Sequence, residues 1–300
     1  MRVYLASARE YISESSKYNW RKAIKRRLFS YYHFGALEQN VPTKEIYDTI
    51  PITPDIFLDS GAFSAFTKGV SLTIDAYAQY INHDPGIWEC CSNLDDIGGN
   101  SQLTYDNQKA LESNGCKIQP VYHAGEDPAW LTKYMDEGYD YIFIGGMVPK
   151  STAYLHTWLD DIWSKYLTND KGEPLVKVHG FGLTTIDLIT KYPWYSVDSS
   201  SWLMTGIFGN IIIYVDGKYI NVPISKDSPK AHNGNGPHYL CLSKHEKSIV
   251  DDYLKQLDLT ADDCMFDYGY RDYVNAYTFQ DMEKHTSSTF KKQQMGLFDV

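Results

Sequence analysis

Residues 117–146 read KIQPVYHAGEDPAWLTKYMDEGYDYIFIGG, and their pattern decides the fold. Lys117–Tyr122 is β-rich, and Asp127-Pro128 looks like an N-cap followed by proline at the first helical position. A helix over 127–137 then leads to a second apolar run, Tyr141–Ile144. Strand, helix, strand is the unit of a parallel α/β sheet.

The alternation continues in both directions. Further strands are expected at Val3–Ala6, Asp55–Leu58, Trp88–Leu94, Leu175–His179 and Trp194–Val197. Helices are expected near 17–28, 73–82, 102–114, 151–166 and 184–191, with Ser151 as a helix start. An eighth strand could lie within Gly206–Ile213. The leading fold is therefore an α/β TIM (β/α)8 barrel, with a doubly wound sheet as second choice.

Beyond residue 205 the pattern changes. Asn210–Val215, Asp216-Gly217 and Lys218–Val222 read as a β-hairpin, because Asp-Gly suits the positive φ angles of a tight turn. Lys226–Pro237 is loop, and 244–283 is helical. The expected organisation is one barrel domain over 1–283, with a hairpin and loop insertion at 210–237 and a polar tail at 284–300.

The chain has 300 residues, long enough to bury a large core without cross-links. Its 28 Lys+Arg against 38 Asp+Glu give a formal charge of −10, which excludes coating nucleic acid by bulk charge. No apolar run approaches the ~18 residues of a membrane span. The start Met1-Arg2-Val3-Tyr4-Leu5-Ala6 is too short for a signal-peptide core. Five cysteines, two of them adjacent at Cys90-Cys91, make a disulfide framework improbable, and no cysteine pair has structural-zinc spacing. The expected setting is a reducing cytoplasm.

In a barrel, functional groups gather at the C-terminal ends of the strands. Here those ends carry Asp59-Ser60-Gly61, Asp95-Asp96, His123, Gly145-Gly146, His179-Gly180-Phe181-Gly182 and Asp198-Ser199. Carboxylates from three strands would converge on one mouth, where one can attack an anomeric carbon while another moves protons. The competing reading is that each Asp caps the following helix. The glycines either permit tight turns or let a flat ligand approach the backbone. His123 is either a ligand contact or a satisfied core histidine.

These same residues carry a resemblance. Phe57-Leu58-Asp59-Ser60-Gly61-Ala62-Phe63-Ser64 resembles the Asp-Ser-Gly-Gly-Phe-Gln segment of tRNA-guanine transglycosylases. Asn93-Leu94-Asp95-Asp96 is similar to that family's Phe-Asp-Glu base-recognition segment, and Val121-Tyr122-His123-Ala124-Gly125 to its Ile-Val-Gln-Gly-Gly, with His123 replacing glutamine. Ile144-Gly145-Gly146-Met147 is similar to its Gly-Gly-Leu, and Lys177-Val178-His179-Gly180-Phe181-Gly182 stands where it has Met-Gly-Val-Gly. Tyr195-Ser196-Val197-Asp198-Ser199-Ser200-Ser201-Trp202 occupies the place of its nucleophilic aspartate. The compact Asp-Ser-Gly-Ala-Phe and Val-Asp-Ser-x-Ser-Trp forms look closest to the phage-type 7-deazaguanine DNA transglycosylases. The cysteine-rich zinc subdomain of the tRNA enzymes has no counterpart, since only Cys241 and Cys264 follow Asp198.

The resemblance implies a pentosyltransferase related to queuine and archaeosine enzymes. It would replace guanine in DNA by a 7-deazaguanine, such as the 7-cyano form, and so protect phage DNA against host restriction. Asp198 would be the nucleophile and Asp59 the general acid and base. Ser60, Gly61, Asp95, His123, Gly145, Gly146, Met147 and Gly182 would surround the base. No metal or redox cofactor is implied. Two alternatives stand beside it: a tRNA base-exchange enzyme, and a barrel that binds nucleic acid or a sliding clamp without turnover.

Two further segments bear on partners. KYNWRKAIKRR (17–27) carries Lys17, Arg21, Lys22, Lys25, Arg26 and Arg27 with no acidic residue. As a helix with Trp20, Ile24 and Leu28 on one face it is either a phosphate-binding helix or a solvated face. Near the C-terminus, Gln294-Met295-Gly296-Leu297-Phe298 fits Gln-x-x-Leu-Phe, which resembles the bacterial sliding-clamp-binding peptide. The alternative there is that Leu297 and Phe298 dock on the barrel itself.

Overall fold

Eight parallel strands form one curled sheet: β1 (Arg2–Ala6), β2 (Arg26–Ser30), β3 (Asp55–Asp59), β4 (Trp88–Cys91), β5 (Val121–His123), β6 (Tyr141–Gly145), β7 (Lys177–Gly180) and β8 (Ser196–Ser199). The computed structural model describes residues 1–8, 20, 24–37, 55–183, 185–232, 236–286 and 290. The strand order is β4-β3-β2-β1-β8-β7-β6-β5. No ladder joins the two ends, so the sheet is not a fully closed barrel; β4 and β5 meet at a single parallel bridge, Ser92 to Gln119. Two backbone hydrogen bonds hold that joint, Asn93 N–H to Gln119 O (3.0 Å) and Gln119 N–H to Cys91 O (2.9 Å).

Residues alternate between the two sides of each strand, and both sides are covered, as parallel sheets require. Tyr4, Leu28, Phe57, Cys90, Val121, Tyr141 and Phe143 fill the interior. Leu5, Ile142, Ile144, Val178 and Val197 face outward onto Leu131, Leu155, Leu159 and Leu188 of the surrounding helices. Phe29, Ile56 and Leu58 meet Tyr77, Ile81 and Leu111 in a second outer cluster. Each such burial contributes roughly 1.5–3 kcal/mol.

The eighth strand is not where the sequence pattern suggested. It is β2, not Gly206–Ile213, and it takes up part of the segment expected as a basic helix. Pairing with β1 on one side and β3 on the other satisfies its backbone, which outweighs the helical spacing of Trp20, Ile24 and Leu28. The consequence for the basic residues is direct. Arg27 is completely buried and donates to Ala8 O (3.2 Å), while Arg26 pairs with Asp55 (3.2 Å) and Glu283. Lys25 is exposed, but precedes β2 at the end of the sheet opposite the strand C-termini. These three do not form a phosphate-binding helix at the mouth. Lys17, Arg21 and Lys22 lie outside the described residues.

The expected hairpin forms as β9 (Asn210–Val215) and β10 (Lys218–Pro223), with Asp216 and Gly217 both at positive φ. It is integrated into the fold rather than appended. Ile211, Ile213 and Val222 pack on Val250, Leu254 and Val274 of the helices Lys244–Lys255 and Tyr268–Asp281. Asn275 Oδ1 accepts from Ile212 N–H at 2.7 Å and Thr278 donates to Ile212 O at 2.7 Å. Within the segment expected as a polar tail, Phe290 is buried, stacks on Tyr192 and donates its amide to Gly172 O (2.8 Å). Gln294, Leu297 and Phe298 lie outside the described residues. Among the described residues no helix is long and apolar enough to cross a membrane.

Candidate functional site

Several strands reach further than the apolar runs alone indicate, and this extension carries polar residues onto the C-terminal end of the sheet. Asp59 is the last residue of β3, His123 the last of β5, and Asp198 lies within β8. The carboxylates do not cap helices. The helix Ala62–Thr67 starts at Gly61 and the helix Ser201–Ile207 at Ser200, both without a side-chain cap, while Ser101–Ser113 is capped by Asn100. Asp96 does serve local structure, accepting from Asn100 N–H at 2.9 Å.

Asp59 closes β3 and faces the turn that follows it. Its Oδ2 accepts from Gly61 N–H (3.1 Å) and its Oδ1 from Ser92 Oγ (3.5 Å). Gly61 must be glycine: its φ is +73°, and a Cβ there would meet Ser30 Oγ at 2.3 Å and Tyr32 Cβ at 2.5 Å. Burial, with the charges of Asp95 and Asp198 added, pushes the Asp59 carboxyl up to about 8. It holds a proton at neutral pH. Ser60 is fully buried; its N–H donates to Ser92 Oγ (2.9 Å) and its hydroxyl lies 3.4 Å from Asp95 Oδ1.

His123 sits between two carboxylates. Nε2 lies 2.7 Å from Asp95 Oδ2 and Nδ1 3.1 Å from Glu126 Oε1. Burial opposes the imidazolium, but the hydrogen bonds to Asp95 and Glu126 outweigh it and push the pKa up to about 10. His123 is therefore a charged double donor at neutral pH. Gly145 makes room for this ring and Gly146, at φ +67°, turns the chain beside it. Met147 is 2% exposed and packs in the outer core, so only its backbone remains for a ligand.

Asp198 is 6% exposed. Its Oδ1 takes two bonds, from Gly182 N–H (2.9 Å) and His179 Nε2 (3.2 Å). The His179 ring is fully buried, stacked on Phe57 with centroids 4.5 Å apart. Burial pushes its pKa down despite Asp198.

Of the residues expected at the site, Asp59, Ser60, Gly61, Asp95, His123, Gly145, Gly146, Gly182 and Asp198 are brought to this end of the sheet, linked by the contacts above. Two participants escaped the sequence reading: Glu126, three residues after His123, and Ser92, which bonds both Asp59 and Ser60; His179 was among the expected strand-end residues, but its link to Asp198 arises only from the β7–β8 register. Phe63, 49% exposed in the first turn after Gly61, and Val148, 45% exposed after Gly145–Met147, leave apolar side chains beside the same loops. Among the described residues no group of three or more His, Cys, Asp or Glu is placed to hold a metal ion.

A scan against protein-family models and a search of curated proteins both find no match to the chain.

Proposed function

We propose that the chain is a (β/α)8-barrel base-exchange transglycosylase that replaces guanine by a 7-deazaguanine through a covalent glycosyl-aspartate. One observation carries this reading: a proton-holding carboxyl, Asp59 with its pKa near 8, lies close enough to Asp198 to be raised by its charge, and Asp198 Oδ1 is held by two hydrogen-bond contacts. Pairs of carboxyls with separated roles are the means by which one site runs acid and nucleophilic chemistry together.

In the first step Asp198 attacks C1′ of the sugar. The C1′–N9 bond breaks, its electron pair leaves with guanine, and guanine takes the proton of Asp59. In the second step the incoming base returns a proton to Asp59, and its nitrogen displaces Asp198 from C1′. Two inversions retain the sugar configuration. Asp95, oriented by the His123 imidazolium, offers acceptor oxygens for a base edge, and the Gly145-Gly146 backbone allows a flat ring to approach closely.

DNA is the favoured substrate, because only Cys241 and Cys264 follow Asp198 in this sequence, too few for the cysteine-rich zinc site of the tRNA enzymes, and because Gln294-Met295-Gly296-Leu297-Phe298 resembles a clamp-binding peptide. Tethering to a sliding clamp would supply effective concentration to a protein of net charge −10. The target guanosine would leave the stack at a cost of a few kcal/mol. Protection of phage DNA in a host cytoplasm belongs to the same proposal. The test incubates the protein with labelled 7-deazaguanine and either duplex DNA or tRNA. Label in DNA, with a denaturation-stable adduct that Asp198→Ala lacks, supports it. Label in tRNA alone moves the substrate to RNA, and no label in either overturns exchange.

A further inference from the structure

A chain of buried polar groups runs from Tyr141 through Ser196 and His179 to Asp198. The Tyr141 hydroxyl lies 2.5 Å from Ser196 Oγ, and Ser196 Oγ lies 2.6 Å from His179 Nδ1. His179 Nε2 then reaches Asp198 Oδ1 at 3.2 Å. Ser196 and His179 are fully buried and Tyr141 nearly so, which makes any unmatched donor or acceptor costly.

Only one arrangement of protons satisfies every member. Asp198 Oδ1 already accepts from Gly182 N–H, so Nε2, which faces the same oxygen, is the nitrogen that carries the imidazole hydrogen. Nδ1 must then accept, and only the Ser196 hydroxyl is there to donate. Ser196 Oγ in turn accepts from Tyr141, whose phenol burial keeps protonated. The two hydrogen bonds to the Asp198 carboxylate, from the Gly182 backbone N–H and from His179 Nε2, both fall on Oδ1, and among the described residues none reaches Oδ2.

We propose that His179 is a positioning residue, fixed by Tyr141 and Ser196 as the neutral Nε2–H tautomer, which pins Asp198 Oδ1 so that Oδ2 is the oxygen that attacks C1′. The assignment of Asp198 as attacker rests on the proposed function; the tautomer does not. The ring faces Phe57 and Phe143 across 4.5 and 5.1 Å, so phenylalanine can replace it without opening a cavity. His179→Phe thus removes the donor and keeps the stack, while His179→Gln keeps a donor.

The test has two arms on the full chain. Nitrogen-15 NMR of histidine-labelled protein, with His179 assigned by its loss in His179→Phe, reads the tautomer directly. The expected result is Nε2–H in the wild type and a mixed population in Ser196→Ala. A wild-type Nδ1–H tautomer or an imidazolium overturns the proposal. In the second arm, single-turnover adduct formation should fall about 10–100-fold in His179→Phe at unchanged KM and be partly restored in His179→Gln. An unchanged rate in folded His179→Phe also overturns it. If the wild type shows the Nε2–H tautomer but exchanges no base on any substrate, the proposed function falls and the orienting role falls with it.

Discussion

Gly145 lies directly across from His123 in the β5–β6 register, and a Cβ on Gly145 would stand 2.9 Å from His123 Cδ2. The empty space at one residue is therefore what seats the other against Asp95. Gly145→Ala should cost roughly 1–3 kcal/mol by overpacking and push the imidazole off Asp95. Denaturant unfolding reads the stability loss, and titration with a 7-deazaguanine base reads weakened binding. Normal base affinity would show that His123 does not need this seat.

His123 should also make stability pH-dependent in a defined direction. Its pKa rises from 6.5 in the unfolded chain to about 10 in the folded one. The contribution is fully present below pH 6.5 and is lost as pH rises through about 10. Comparing unfolding free energies of the wild type and His123→Gln at pH 6 and pH 10 should show the gap between them shrink at the higher pH. A constant gap would mean the imidazolium is not what Asp95 and Glu126 stabilise.

Asp59 has the same sign with a different outcome. Its carboxyl rises from 3.8 to about 8, so folding favours the protonated form. Its favourable contribution is present below pH 3.8 and lost as pH rises through about 8. Asp59→Asn, which cannot ionise, should gain stability relative to the wild type on going from pH 6 to pH 9. Exchange by the wild type should fall above pH 8, and Asp59→Asn should lose roughly 10²–10⁴-fold in rate.

The part of the site that was legible in the sequence is the part written in strand-end chemistry. Asp59, Asp95 and Asp198 end apolar runs, and glycines stand where a ligand or a ring must come close. The His179–Asp198 link was not legible, because it depends on which residues of β7 and β8 lie opposite one another. β2 was misread for a related reason. Five residues with two arginines have weak intrinsic preference, and pairing on both edges decides their conformation.

Phe290 provides a test outside the site. Its ring is buried against Tyr192 at a centroid distance of 5.8 Å, and a Cβ on Gly172 would fall 2.1 Å from its carbonyl oxygen. Phe290→Ala should cost roughly 3–5 kcal/mol, seen as a lowered Tm, while exchange at 25 °C persists. An unchanged Tm would show that this anchor adds nothing to the fold.

The joint between β4 and β5 has a consequence for how the molecule handles a ligand. Only one bridge and two amide bonds span the opening there, yet Asp95 follows β4 and His123 ends β5, so their 2.7 Å contact clasps the two sides of the gap at the mouth. Under the proposed function, a base bound beside this pair would bear on both sides of the gap and tighten it. Saturation at a hundred times Kd would add about 2.7 kcal/mol to global stability. The slowing of amide exchange should concentrate at Gln119 and Asn93, so the gap itself reports whether the site is filled.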